Sequence, residues 1–188
     1  MNPHAVTREF EAALCAYTGA PYAVAVNSCT AALLLAVAWH LRGERWYCDF
    51  EKREPVEIPK FTYCSVPASI IHAGGRPTFR DEEWHGAYQL KPLPVWDSAR
   101  WLTGGHYRMV CERLAGAVGQ FVCVSFHWTK TLGVEFEQGG AILHDSPEAD
   151  AWLRRMRFDG RTEGVAPKDD KFTQVGYHCY MNPTTAQR

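Results

Sequence analysis

The chain has 188 residues and a formal net charge of −1. That length suits one globular domain with a real core, and so small a charge does not signal nucleic acid, acidic lipid or another polyanion as a partner. Seven cysteines without a CxxC pair, and eight histidines without metal-ligand spacing, argue against a disulfide framework or a zinc site and fit a reducing cytosol. The opening MNPHAVTREF lacks the basic and apolar regions of a signal peptide, and AALLLAVAW is too short to span a bilayer, so a soluble cytoplasmic protein is expected.

Along the chain, Val6, Phe10, Ala13, Leu14 and Tyr17 fall at helical spacing and Gly19 closes that helix. YAVAV reads as a short buried strand, and after NSCT the run AALLLAVAWHLRG reads as a helix ended by Gly43. CDFEKREP is a charged loop, VEIP a strand, FTYCS a loop, and VPASIIHAGG a helix stopped by two glycines. RPTFRD, LPVWD, FVCVSF and GAILHD are four further strands. Ser146, Pro147 and Glu148 supply an N-cap, a proline at the first helical position and an acid in the first turn, opening the helix PEADAWLRRMRFDG that ends at Gly160. From RTEGVAPKDDK onward the chain is polar and reads as loop. Short apolar strands alternating with helices predict an α/β layered domain with a mostly parallel sheet, in which ligands sit beyond the carboxyl ends of the strands.

The residues just after the strands therefore matter most. In NSCT, Ser28 and Thr30 either cap the following helix or join its first N–H groups in holding an anion. Asp97, after LPVW, needs a partner because an unpaired buried charge is costly; the candidates are Arg100 and a protonated heterocycle nitrogen. Lys130, in SFHWTK, is either a surface residue or a desolvated amine able to form a Schiff base. Tyr63, in FTY, either packs or offers a ring face. An anion nest, an acid, an aromatic and a lysine after strands of one sheet are the four groups that pyridoxal phosphate requires.

The stretches FEAALCAYTGAPYAVAVNSCTAALLLAV, IPKFTYCSVPASIIHAGGRPTFRD, VWDSA and SFHWTKTLGVEFEQGGAILHDSPEADAWLRRMRFDG resemble, in order, the sugar aminotransferases of the DegT/DnrJ/EryC1/StrS type, which are fold-type I pyridoxal-phosphate enzymes. The resemblance implies a three-layer α/β sandwich, with residues 1–188 forming a single cofactor-binding large domain. Residues 161–188 are then loop and the start of the segment leading to the family's smaller C-terminal domain, which this chain lacks. It makes Lys130 the Schiff-base lysine and proton shuttle, and Asp97 the partner of the pyridinium nitrogen. Tyr63 is implied to stack on the ring, and Cys29, Thr30 and Ser125 to hold the phosphate. Arg100 stands where the family commonly has Gln or His touching the ring oxygen, and being bulkier and always charged it differs in kind. The segment between Phe79 and Val95 is shorter than usual, which predicts a missing strand–helix unit. GYHCYMNPTTAQR resembles the segment that crosses to a partner subunit, with no phosphate contact assigned to His178 or Tyr180. His127 and Trp128 receive no role and are read as packing.

The implied activity is transfer of an amino group, with glutamate as donor, to a nucleotide-linked keto sugar, by a cytoplasmic homodimer. A lysine at position 130 favours this over the family branch that carries histidine there and dehydrates sugars. Two alternatives stand beside it. One is a decarboxylase-type enzyme using the same cofactor on an amino-acid-like substrate, with Arg100 marking the change. The other is a non-catalytic binding or dimerisation module. A dinucleotide-binding domain fits poorly because the NSCT turn lacks GxGxxG.

Overall fold

A computed structural model of the chain describes residues 3–42, 49–113, 117–130 and 137–188. In chain order the elements are α1 (Pro3–Thr18), β1 (Tyr22–Val26), α2 (Cys29–Leu41), β2 (Pro55–Pro59), α3 (Ser65–His72), β3 (Arg76–Arg80), β4 (Tyr88–Leu90), β5 (Val95–Ser98), α4 (His106–Arg113), β6 (Phe121–Ser125), β7 (Gly140–His144), α5 (Pro147–Arg157) and α6 (Pro183–Gln187). The helix end expected at Gly43 lies outside the described residues. A single 3-10 turn, Phe50–Lys52, interrupts the charged loop before β2. No helix among the described residues is long and apolar enough to cross a membrane.

Alternation along the strands builds three layers. Val24, Val26, Cys123 and Ile142 turn to one face and pack with α2, α3 and α5. Ala23, Ala25, Val122, Val124, Ala141 and Leu143 turn to the other, toward Leu14 of α1, Tyr107 and Val110 of α4 and Ala186 of α6. With helices on both faces, β6 and β7 are buried at every position, which is why they read as continuous apolar runs. α2 is apolar around most of its circumference because it lies among α3, α5 and the sheet.

The α/β sandwich is as expected, but the sheet is mixed. Five strands run in the order β1-β7-β6-β5-β4 and two more form β2-β3. β5–β6 and β2–β3 are parallel, whereas β1–β7, β6–β7 and β4–β5 are antiparallel. The four residues KPLP between β4 and β5 are too few for a crossover, so β4 returns beside β5 as a hairpin. Residues 81–94 hold the short strand β4 and no helix. The two sheets meet at one bridge, Glu57 to Lys91, with N···O distances of 2.7 and 3.0 Å. Arg80 of β3 crosses that seam, donating to the carbonyls of Glu57 (2.6 Å) and Gln89 (2.8 Å).

The buried stripe of α1 is also rotated from the expected one. Thr7, Glu11, Leu14 and Thr18 are buried, whereas Ala13 and Tyr17 are exposed. Glu11 is the reason: its Oε1 accepts from the Ala25 N–H (2.8 Å) and from Arg157 (2.5 Å), and its Oε2 from Arg154 (2.6 Å). The tail beyond residue 160 packs back onto the domain. Tyr180 bridges to Val26 and His178 to Phe158, Cys179 and Met181 are buried, and His178 Nδ1 lies 2.9 Å from Asp159.

Candidate functional site

β1, β5 and β6 end on the same side of the sheet, and β7, running oppositely, begins there. Gly140 lets this happen: a Cβ at that position would lie 2.5 Å from the backbone of both Ser28 and Cys29, so only glycine lets β7 start against the first turn of α2. A cavity of about 940 Å³ opens at these ends. Cys29 and Thr30 enter it from the start of α2, Tyr63 from the loop after β2, Asp97 and Arg100 from the end of β5, and Ser125 and Lys130 from the end of β6. All seven residues singled out in the sequence therefore meet in one cavity.

Their individual settings differ. Ser28 is the N-cap of α2, its Oγ accepting from the Ala31 N–H at 3.1 Å. The N–H groups of Cys29 and Thr30, at the first two helical positions, have no intrahelical acceptor, and they carry the positive end of the helix dipole. Thr30 Oγ1 shares a hydrogen bond with Ser65 Oγ at 2.9 Å. Ser125 is buried, its hydroxyl accepting from the His127 N–H at 3.3 Å. The Lys130 N–H closes a turn onto the His127 carbonyl at 2.8 Å, and its side chain is half-buried. Tyr63 is 72% exposed and Phe61 80%, so the loop after β2 leaves its rings at the cavity mouth.

Among the described residues, Asp97 has only neutral hydrogen-bond donors. Its side chain is 6% exposed; Oδ2 accepts from the Tyr88 hydroxyl at 2.6 Å and Oδ1 from the Ala99 N–H at 3.0 Å. Burial pushes the carboxyl above its usual range, and the Tyr88 hydrogen bond, the Ala99 N–H and the Lys130 charge pull it back only in part. Arg100, one of the two partners considered from sequence, makes no ion pair with Asp97 among the described residues: it is exposed and lines the cavity separately. The carboxylate is thus short of a cation, which suits it to a protonated ring nitrogen. The Cys29 thiol is driven well up by burial and by the nearby Asp97 charge, so it remains neutral.

Two further sequence readings change. Trp128 is 59% exposed and so is not core packing, and His127 lines the cavity, with Nδ1 2.9 Å from Thr129 Oγ1. The segment leaves β6 too early for either ring to reach the interior. Tyr88 and Thr62 were not singled out, although Tyr88 holds Asp97 and in turn bonds Thr62 Oγ1. The signal lay in the mirrored alternation YQL and VWD around KPLP, which marks a hairpin and places Tyr88 directly opposite Asp97. Among the described residues no group of three or more His, Cys, Asp or Glu side chains has the arrangement of a metal site.

Set beside known proteins, the chain is 26% identical over 192 residues to the spore coat polysaccharide biosynthesis protein SpsC of Bacillus subtilis, covering 84% of this chain and 46% of that protein. Its fold matches DesV of S. venezuelae, solved in complex with a ketimine intermediate, with a TM-score of 0.65 and 21% identity, covering 97% of this chain and 54% of DesV. It also matches NtdA of Bacillus subtilis, solved with bound cofactor PMP, with a TM-score of 0.67 and 18% identity, covering 97% and 46% respectively. The chain thus spans about half the length of these relatives. A profile of the DegT/DnrJ/EryC1/StrS aminotransferase family matches residues 4–95 and 93–187, nearly the whole sequence, and the chain belongs to that family.

Proposed function

We propose that this chain is the pyridoxal-phosphate-binding domain of an aminotransferase that moves an amino group from glutamate to a nucleotide-linked keto sugar. The observation that carries the reading is the convergence of Lys130, Asp97, Tyr63 and the start of α2 from different strand ends into one cavity. The residues fit the cofactor. The N–H groups of Cys29 and Thr30, which have no intrahelical acceptor, with the Thr30 and Ser125 hydroxyls, suit a phosphate. Asp97, buried without a cationic partner in direct contact among the described residues, suits a pyridinium N–H, and Tyr63 suits the ring face. When bound, the cofactor supplies an electron sink for charge developing at the substrate carbon.

The protein's own part is positional and electrostatic. Asp97 would hold the proton on the ring nitrogen, and the β5–β6 floor keeps that carboxylate 6% exposed. Lys130 would supply the attaching amine and then move the proton at the substrate carbon. The donor and sugar acceptor come from the family and from relatives such as SpsC, whose name places it in polysaccharide biosynthesis. A homodimer is part of the proposal, supported by the exposed Phe61, Tyr63 and Trp128, and so is a cytoplasmic setting, supported by the unpaired thiols among the described cysteines.

One observation favours a second reading. Arg100 lines the cavity without an ion pair among the described residues, so it is free to meet a substrate carboxylate, as a decarboxylase-type enzyme acting on an amino-acid-like substrate would need. The test is reconstitution of purified protein with pyridoxal phosphate. A visible absorption band that Lys130→Ala abolishes, and that glutamate converts to the amine form of the cofactor, supports the aminotransferase. A band that glutamate leaves unchanged favours the second reading, and absence of any uptake overturns both in favour of a non-catalytic module.

A further inference from the structure

Between β3 and β5 the chain makes a detour that the proposed chemistry does not use, yet two of its side chains reach the cavity walls. Tyr88, 2% exposed, stands opposite Asp97 in the β4–β5 ladder and donates its only hydroxyl proton to Asp97 Oδ2 at 2.6 Å. Its oxygen must therefore accept in its other bond, so Thr62 Oγ1 is the donor of the Thr62–Tyr88 contact. Trp84, on the same detour, donates Nε1–H to the Phe61 carbonyl at 2.8 Å and lays its ring 4.7 Å from that of Tyr88. Phe61 and Thr62 immediately precede Tyr63 in the loop that forms the opposite wall.

We propose that Tyr88 is a positioning residue that holds two walls of the cavity in register, the Asp97 carboxylate on one side and the Tyr63-bearing loop on the other. The chain Thr62–Tyr88–Asp97 has one direction, each hydroxyl passing its proton toward the carboxylate, so both bonds strengthen when Asp97 is ionised. Trp84 fixes the same loop by its backbone. The groups facing Asp97 are Tyr88 from β4, Cys29 from α2, Cys123 from β6 and Lys130 beyond β6; the thiols are neutral, so Tyr88 and Lys130 are the side chains that favour the carboxylate. The relevance of this to catalysis rests on the cofactor reading above, but the coupling itself does not.

The experiment follows Asp97 in cofactor-free protein by 13C NMR of the aspartate-labelled chain, with Asp97→Asn assigning the signal and the Thr62 and Tyr63 amides followed in the same samples. In Tyr88→Phe the Asp97 midpoint is expected to rise by about one pKa unit, and the Thr62 and Tyr63 amide signals to move. Thr62→Val should shift the midpoint in the same direction by less, and it keeps the test readable if Tyr88→Phe does not fold. With pyridoxal phosphate added, Tyr88→Phe should weaken its binding about tenfold. An Asp97 midpoint unchanged in both variants overturns the proposal, as do unmoved loop amides. If the midpoint and amides move while even the native chain takes up no cofactor, the coupling stands and the cofactor reading falls.

Discussion

Glu11 and Asp97 are both buried carboxylates, and their surroundings could hardly differ more. Glu11, 3% exposed, is clasped by Arg157 and Arg154 and by the Ala25 N–H, joining α1, β1 and α5. Arg157, itself 1% exposed, also reaches the Ala25 carbonyl and Glu163. Asp97 has a phenol, one amide and a lysine acting from further away. A carboxylate saturated by guanidiniums is committed to the fold, while one held only by neutral donors keeps its charge available. The difference separates a structural ion cluster from a site that awaits a cation.

The largest expected effect comes from breaking the saturated side. Arg157→Met or Glu11→Gln leaves the opposite charges buried and should cost about 3–5 kcal/mol, read from the midpoint of urea unfolding. The acid response comes next. His106, in hydrogen-bond contact with Ser98 Oγ at 2.9 Å, and His144, stacked between Tyr22 and Phe121, are held neutral by burial down to a pKa of about 4. Below pH 6.5 the unfolded chain takes up protons that the folded chain refuses, so stability should fall as the pH drops from 6.5 toward 4. Replacing either by Phe should flatten that slope in pH-dependent unfolding.

The two carboxylate environments also respond to acid with opposite sign. Burial alone would raise Glu163, but Arg157 and Arg8 hold it below its usual value, so its contribution is present above 4.5 and is lost as pH falls through its lowered folded value. Asp97 is raised, so its folded form gains from protonation, and its contribution weakens as pH rises from 3.8 toward the folded value. Accordingly Asp97→Asn should change stability by no more than about 1 kcal/mol, and in the stabilising direction, while weakening cofactor binding. A large loss of stability in that variant would remove the distinction from Glu11. The helix caps are expected to matter about as little to stability, with the opposite sign. Ser28→Ala and Ser146→Ala should each cost about 1 kcal/mol, yet only the first, beside the cavity, should alter phosphate affinity in a binding titration.

Much of this arrangement is legible in the sequence where one signal dominates. Ser146 and Pro147 mark the start of α5, and the apolar runs mark β1, β6 and β7. Thr30, Tyr63, Asp97 and Lys130 stand out because each lies at or just beyond a strand end, whereas Cys29 and Ser125 come from the family resemblance. α4 was missed because HYRMVCER looks polar, although His106, Tyr107 and Val110 are its buried face. α6 begins with Asn182 and Pro183, the same kind of cap and proline, but five residues carry too little pattern to register. Strand direction escaped altogether, since a strand buried on both faces looks the same whichever way it runs. Tyr88 escaped because its importance lies in what it faces across a ladder.

At the Arg80 seam, a guanidinium does part of the work elsewhere done by a run of backbone pairs. A ladder shares its load among many amides and unravels gradually, whereas a side-chain staple holds or releases as one. β2, β3 and α3 are therefore expected to open as a unit before the five-stranded sheet does, once the Thr62–Tyr88 and Phe61–Trp84 contacts to the β4 side have let go. Amide hydrogen exchange would record this as one shared opening free energy across those elements, lower than that of β6 and β7, and Arg80→Ala should lower it further.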